Sequence, residues 1–513
     1  MFAYPILFLR NAANMTITKR KPSQLIPNFL CATALLVGYL CFFSGRFYVS
    51  TFGRLGFDSV LYTLSAGLGG VQSGQITRWL LLGFLPAILL TVLTVLILFH
   101  PCSAKGKYEK AHGSRTLSRL FSLLLSLCLT VFAAFDVELV EYVFNQSADS
   151  DLYEKYYRDP AGVKVTFPDK KRNLIYIMLE SMETSYLSKE QGGTMEENLI
   201  PELYDLAVQN LCFSNSSEKV GGFYTTKGAT WTIGSMVAQT AGIPLKTPTE
   251  DVNQYGAAGE AFLPGVTSLT NILQDAGYTQ ALMVGSDVRF GGRKVYFEQH
   301  GMDQIYDLYT ARREGIVPKD YFVWWGMEDL HLFRYAREKI TALAQQEAPF
   351  AFTMLTVDTH HVGGYQCELC QSSKSGETYD QSISCSSRQV AEFVKWIQQQ
   401  DFYENTTIII VGDHESMDNG YFARMSDSSY QRLLYNCFIN TPTEAKKATN
   451  RRFAAVDLFP TTLAAIGCSI EGDRLGLGTN LFSDTKTLAE LMGFDHFNNE
   501  LAKASSYYEA HFW

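Results

Sequence analysis

Apolar residues are spread unevenly along the chain. Before residue 140 they gather into three uncharged runs, Phe29–Phe43, Trp79–Phe99 and Leu120–Phe135. A helix needs roughly 20 apolar residues to cross a bilayer, within a working range of about 17–25. Trp79–Phe99 meets that alone and the other two meet it with a few flanking residues, so three transmembrane helices are predicted. Phe57–Val71 (FDSVLYTLSAGLGGV) is apolar on one face but short and Gly-rich, which predicts an interfacial helix. The pattern changes beyond residue 172. Short continuous apolar runs, Leu174–Leu179, Thr279–Val284, Phe350–Val357, Thr406–Val411 and Leu433–Ile439, alternate with helical stretches such as Arg388–Gln399. Runs of this length suit buried strands of a parallel or mixed sheet with helices on both faces, an α/β plan. The stretch 138–172 mixes Tyr, Asp, Glu and Lys with Pro160 and Pro168 and reads as a stem. The expected organisation is a membrane domain over 1–137, a stem over 138–172 and an α/β domain over 173–513.

Charge refines this layout. The 513 residues carry 43 Lys+Arg against 52 Asp+Glu, a net charge of −9, and this balance excludes the basic surplus of a nucleic-acid binder. A hydrophobic fraction of 47% excludes a disordered chain. The N-terminal segment holds Arg10, Lys19, Arg20 and Lys21, and the second connection holds Lys105, Lys107, Lys110, Arg115 and Arg119. The first connection has only Arg46, Arg54 and Arg78, and past the third run the chain turns acidic at Asp136, Glu138 and Glu141. The positive-inside bias then predicts a multi-pass protein of the cell membrane, with a cytoplasmic N-terminus and an extracytoplasmic α/β domain.

In open α/β sheets, ligands sit beyond the carboxyl ends of the strands. LIYIML ends in Glu180, FAFTMLTV in Asp358-Thr359-His360-His361, and TTIIIV in Gly412-Asp413-His414-Glu415. A lone strand-end Asp is usually a helix cap, but three strand ends carrying carboxylates and imidazoles make a candidate site for Mn²⁺ or Zn²⁺. Gly221–Thr232 (GGFYTTKGATWT) precedes an apolar helical pattern that starts at Ile233. Gly, Thr and Lys before a helix make a plausible phosphate cradle, with simple capping by Thr230 or Thr232 as the plainer reading. Neither the Walker pattern of a P-loop nor a G-x-S-x-G elbow is present.

The runs NLIYIMLES, GATWTIGSMVAQTAGIPL, VRFGGRKVYFEQHG, LTVDTHH and VGDHESM resemble the phosphoglycerol transferase I family. That family stands with lipoteichoic acid synthase and the lipid A phosphoethanolamine transferases in the alkaline phosphatase superfamily. The resemblance covers about 57–75 and nearly all of 150–480. It implies an alkaline phosphatase-like, sulfatase-like domain with one divalent metal, usually Mn²⁺, with Mg²⁺ or Zn²⁺ as alternatives. The implied ligands are Glu180, a threonine of the GATWT stretch, Asp413 and His414. Thr230 is the expected nucleophile and ligand, with Thr225 or Thr226 as alternatives and Thr232 expected inside the helix. Ala229 stands where the family usually has the threonine that follows its glycine. Arg293, His360 and Trp231 are expected at the substrate, with His360 also catalytic. Asp457, in DLFPTT, is expected to be structural.

The activity implied is transfer of phosphoglycerol from phosphatidylglycerol, at the lipid bilayer, to an envelope glycan or polyglycerophosphate through a phospho-threonine. Phosphoethanolamine transfer, phosphodiester hydrolysis or a non-catalytic binding domain on the same scaffold are the rival readings. The family pattern also implies a Cys370–Cys385 disulfide and leaves Cys367 unexplained.

Overall fold

The computed structural model describes residues 22–54, 56–65, 73–99, 111–246, 261–372, 376–423 and 430–513. The chain divides into two compact units, Met1–Tyr48 with Gln72–Asp136, and Val49–Val71 with Val137–Trp513.

Long apolar helices build the first unit. They are α1 (Pro22–Phe52), the helices Ser73–Trp79 and Leu85–Phe99 joined by a π-helical turn at Leu80–Phe84 (together α3), and α4 (Ala111–Asp136). Among the described residues three spans, Ile26–Phe52, Gly74–Phe99 and Arg115–Asp136, are long and apolar enough to cross a membrane. Large side chains such as Leu81, Leu96, Leu127 and Phe132 are more than half exposed, as lipid-facing positions are. Small and polar residues make the contacts between helices. Ser126 donates to the Ala34 carbonyl, Tyr39 bonds Thr94 at 3.0 Å, and Trp79 donates to Ser44 at 3.1 Å. Close backbone approach through small residues with interhelical hydrogen bonds is how helices associate where burial of apolar area drives nothing. Of the predicted interfacial helix, Phe57–Ser65 is helical (α2), and 66–71 lie outside the described residues.

The second unit is organised by a seven-stranded sheet. Its strands are β1 (Asn173–Leu179), β2 (Gly222–Phe223), β3 (Thr279–Val284), β4 (Gln304–Tyr306), β5 (Phe350–Leu355), β6 (Thr406–Gly412) and β7 (Leu434–Ile439), in the order β2-β7-β6-β1-β5-β3-β4. The run β6-β1-β5-β3-β4 is parallel; β7 and β2 are antiparallel to their neighbours. The two edge strands have two and three residues, too few for a sequence period to reveal. Along β1, Leu174, Tyr176 and Met178 enter one apolar layer while Ile175, Ile177 and Leu179 enter the other. Burial on both faces is why the strands read as unbroken apolar runs. Helices cover both faces, among them α6 (Thr232–Ala241) on one side, and α7 (Asp329–Ala344) and α8 (Thr378–Gln398) on the other. Preceding them, α5 (Leu139–Gln146) belongs to the same unit. Because five strands run parallel, their carboxyl ends share one rim, and Glu180, Ser286, Thr356–His360 and Asp413-His414 follow four of them.

Candidate active site

The rim begins with the register of β6 on β1. The Asp413 N–H donates to the Leu179 carbonyl at 3.0 Å, so the ladder continues one residue past β6 and fixes where the side chains start. Asp413 Oδ1 then accepts two backbone N–H groups, from Ser181 at 2.8 Å and from His414 at 2.7 Å. Its other oxygen, Oδ2, is buried without a hydrogen-bond partner and lies 3.4 Å from His414 Nε2. Glu180 Oε1 lies 3.5 Å from the same nitrogen and accepts from Ser181 Oγ at 2.7 Å. Ser181 takes a left-handed φ of 52°, a costly conformation for a residue with a Cβ, at the turn where β1 delivers Glu180. His414 Nδ1 faces the Glu415 carbonyl at 2.8 Å. That contact requires the proton on Nδ1 and leaves Nε2 as a lone pair, the tautomer a metal-binding imidazole needs.

A fourth donor comes from a helix. Thr232 is the first residue of α6, and its Oγ1 is 3.4 Å from His414 Nε2. Thr230, two residues earlier, sits outside the helix and bonds Ser59 Oγ at 3.3 Å. The hydroxyl at the cluster is therefore that of Thr232, where the sequence pointed to Thr230. The reason is helix register: α6 starts at Thr232 with Trp231 as its extended N-cap, so Thr232 lies at the helix mouth facing β6. Trp231, expected at the substrate, is 3% exposed and belongs to the apolar layer. Thr226 is also buried away from the cleft.

The residues fit a divalent cation. Two carboxylates, an imidazole nitrogen and a hydroxyl converge, and the oxygens and nitrogen of Glu180, Asp413 and His414 lie within 4.8 Å of one another. Burial raises the Glu180 carboxyl, and burial together with Glu180 pushes Asp413 up to about 7. Burial opposes charge on His414, yet Asp413 and Glu180 outweigh it and raise its pKa. Two buried carboxylates that repel each other, one with an orphaned oxygen, create a demand for positive charge that a cation with nitrogen and oxygen preference satisfies.

A small cleft opens on this cluster, lined by Glu180, Thr232, Ser286, Phe290, Arg293, Trp325 and His360 among others. Arg293 is 4% exposed, donates from Nε to the Phe290 carbonyl at 3.0 Å, and donates from Nη2 to Ser286 Oγ at 3.0 Å. Gly291 and Gly292, with φ of 68° and 75°, make the left-handed turn that aims it. His360 Nδ1 faces the His361 carbonyl at 2.7 Å, and its ring lies 4.4 Å from that of Trp325. Burial lowers its pKa to about 4, so the ring is neutral near pH 7.

Several contributors escape sequence reasoning. Trp325 Nε1 is buried without a partner at the edge of the cleft. Glu183 is fully buried, bonds Arg432 through both of its carboxylate oxygens, and accepts the Ser416 N–H at 2.8 Å, bracing the segment after His414. Trp325 gives no sequence signal, since it lies in a loop after no strand. Asp457, by contrast, accepts backbone N–H groups from Thr479 at 2.8 Å and Ala454 at 2.9 Å, far from the cluster in role as a structural turn residue.

A model of the Sulfatase family matches residues 172–468, more than half of the chain. The chain belongs to the Sulfatase family. The match takes in every sulfatase-domain residue placed at the cleft, from Glu180 to His414. Phosphoglycerol transferase I of Salmonella choleraesuis is 29% identical over 434 residues, which cover 83% of this chain and 53% of the relative. The chain thus spans about half the length of the curated relatives it matches. Among solved structures, an alkaline phosphatase superfamily protein from Vibrio parahaemolyticus is 20% identical with a TM-score of 0.48, covering 66% of this chain and 78% of that one. The lipoteichoic acid synthase LtaP from Listeria monocytogenes is 18% identical with a TM-score of 0.45, covering 63% and 79%.

Proposed function

We propose that this chain is a membrane-anchored phosphotransferase that moves phosphoglycerol from phosphatidylglycerol to an envelope glycan or polyglycerophosphate acceptor, through a phospho-threonine on Thr232. The observation that carries the reading is the Thr232 hydroxyl, 3.4 Å from His414 Nε2 within a buried two-carboxylate, one-imidazole cluster. The name of the 29%-identical Salmonella relatives supports the phosphoglycerol group. Glu180, Asp413, His414 and Thr232 would hold a divalent ion, expected to be Mn²⁺, which would supply positive charge against the phosphoryl oxygens and make the threonine hydroxyl more acidic.

The remaining work falls to the chain. Thr232 Oγ1 attacks phosphorus as the bond to the diacylglycerol oxygen breaks, and the threonine proton leaves with that oxygen. The N–H groups of the first turn of α6 face the phosphoryl group and stabilise its charge. Arg293, locked by Ser286 and Phe290, binds a phosphoryl oxygen without having to reorganise. Neutral His360, protonated on Nδ1, offers the Nε2 lone pair, so it accepts a hydrogen bond from a substrate hydroxyl and is unsuited to protonate the leaving oxygen. An acceptor hydroxyl oxygen then attacks phosphorus as the bond from Thr232 Oγ1 breaks, and the acceptor's proton returns to Thr232 Oγ1.

The test is incubation of the purified protein and Mn²⁺ with labelled phosphatidylglycerol. Diacylglycerol release that stops with chelator, and a glycerophosphate adduct on Thr232 by mass spectrometry, are expected. An adduct on Thr230, or release from phosphatidylethanolamine alone, would overturn the nucleophile or the donor. The Lys/Arg asymmetry supports an extracytoplasmic sheet domain. An export-dependent reporter fused after residue 145 should be active, and activity of a cytoplasm-only reporter there would sink that orientation.

A further inference from the structure

A second cluster of ligating side chains lies outside the catalytic cleft. Cys367, Cys370 and Cys385 are unbonded thiols, the first and last buried and the middle one half-buried. Cys367 Sγ is 3.9 Å from Cys370 Sγ and 3.8 Å from Cys385 Sγ, and all three sulfurs lie within 4.8 Å of one another. A zinc–sulfur bond is about 2.3 Å, and the edge of a tetrahedron of that radius is about 3.8 Å. The sulfurs are thus spaced as if around a shared centre.

The turn, the helix and a glutamine hold the three sulfurs together. Cys367 and Cys370 sit on one turn, closed by the Cys370 N–H on the Cys367 carbonyl at 3.1 Å. Cys385 stands on α8, and Gln389, one turn further along, directs Nε2 to Cys385 Sγ at 3.5 Å and Cys367 Sγ at 3.8 Å. A disulfide would use two of the sulfurs and leave the third beside the bond.

We propose that Cys367, Cys370 and Cys385 bind a second divalent ion of the zinc class as three thiolates. Each thiol gives its proton to solvent as its sulfur binds; no electron is transferred. The fourth position is left to water. Cys367 follows His360 by seven residues and Cys385 lies in α8, so the ion clamps the segment that leaves β5 onto the helix beneath it.

The test uses the full chain, stripped with chelator under reducing conditions and reloaded with Zn²⁺ or Co²⁺. Wild type should take up two ions per chain and show thiolate-to-cobalt charge-transfer absorption. Asp413→Asn should keep that absorption while losing the other ion, which separates this site from the catalytic one. Cys385→Ser should lose the absorption and bind zinc at the site at least tenfold more weakly, with Cys367→Ser as the second variant should the first not fold. Absence of the absorption in wild type would overturn the proposal. So would peptide mapping of the unreduced membrane-extracted protein that finds Cys370 joined to Cys385.

Discussion

The strand ends and the start of α6 reach the same cluster by different means. Glu180, Asp413 and His414 are fixed by the ladder itself, since the Asp413 N–H extends the β6–β1 pairing and Asp413 Oδ1 gathers the N–H groups of Ser181 and His414. Thr232 rests on a helix that begins with it and has no side-chain cap at Trp231. Glycine serves both regions, but differently. A Cβ at Gly412 would lie 2.1 Å from the Met182 carbonyl oxygen, whereas one at Gly234 would lie 2.5 Å from that of Gly228. The ligands on the sheet are therefore set by backbone pairing over many residues. The hydroxyl on the helix is set by one turn and by whatever ties that turn to the sheet.

The sharpest way to test this division is to remove one contributor from each side. Thr232→Ala should lower turnover by on the order of 10⁴-fold or more, as loss of a nucleophile does, with the fold intact. Thr230→Ala, two residues away against Ser59, should stay within about threefold of wild type in the same diacylglycerol-release assay. Comparable losses in both would erase the distinction drawn between them. On the strand side, His414→Ala should weaken metal binding by more than about 100-fold, beyond what loss of an outer partner costs. Equilibrium dialysis against Mn²⁺ reads this directly, and unchanged metal content would remove His414 from the ligand set.

The two glycines probe the supports. Gly412→Ala should destabilise by roughly 3 kcal/mol, because the obstacle is a carbonyl oxygen of the packed backbone. Gly234→Ala should cost less, about 1–2 kcal/mol, since the contact is looser and alanine returns about 1 kcal/mol of helix propensity. Denaturant midpoints measured with metal-free protein give both values. The reverse order would mean that the helix start is the more rigid of the two regions.

The same contrast explains what the sequence disclosed. The five longer strands were readable because burial on both faces makes each an unbroken apolar run, and the residues after the four parallel ones, β1, β3, β5 and β6, land on the rim by topology alone. Glu180, Asp413, His414 and His360 follow from that rule. The edge strands, of two and three residues, carry no period. Thr232 is expected inside the helix and lies there; what the sequence does not show is that this first helical residue, and not the loop residue Thr230, faces His414, since that depends on tertiary packing. Trp325 reaches the cleft from a loop, and Arg432, two residues ahead of β7, bonds the bracing Glu183, both from segments where no periodicity points anywhere.

A strut joins the two regions. Ser235 Oγ donates to the Asp413 carbonyl and accepts from Gln239 Nε2 at 2.9 Å, while Gln239 Nε2 also reaches the Gly412 carbonyl at 3.2 Å. Tyr176 OH completes the chain by donating to Gln239 Oε1 at 2.8 Å, and Ser235 and Gln239 are fully buried. Ser235→Ala removes one donor from a buried carbonyl and one acceptor from a buried amide, at a cost of about 1–2 kcal/mol. The metal ligands on the strands keep their own supports, so Mn²⁺ content should not change. Turnover should fall by about tenfold, because Thr232 is no longer held at the cluster and small misplacements of a reacting group are expensive. If that is the route, the loss exists only while Thr232 is present. The Ser235→Ala change made on a Thr232→Ala background should lower the residual rate no further, although it still lowers the denaturation midpoint. A full tenfold loss on that background would show that Ser235 acts through Asp413 rather than through the helix start.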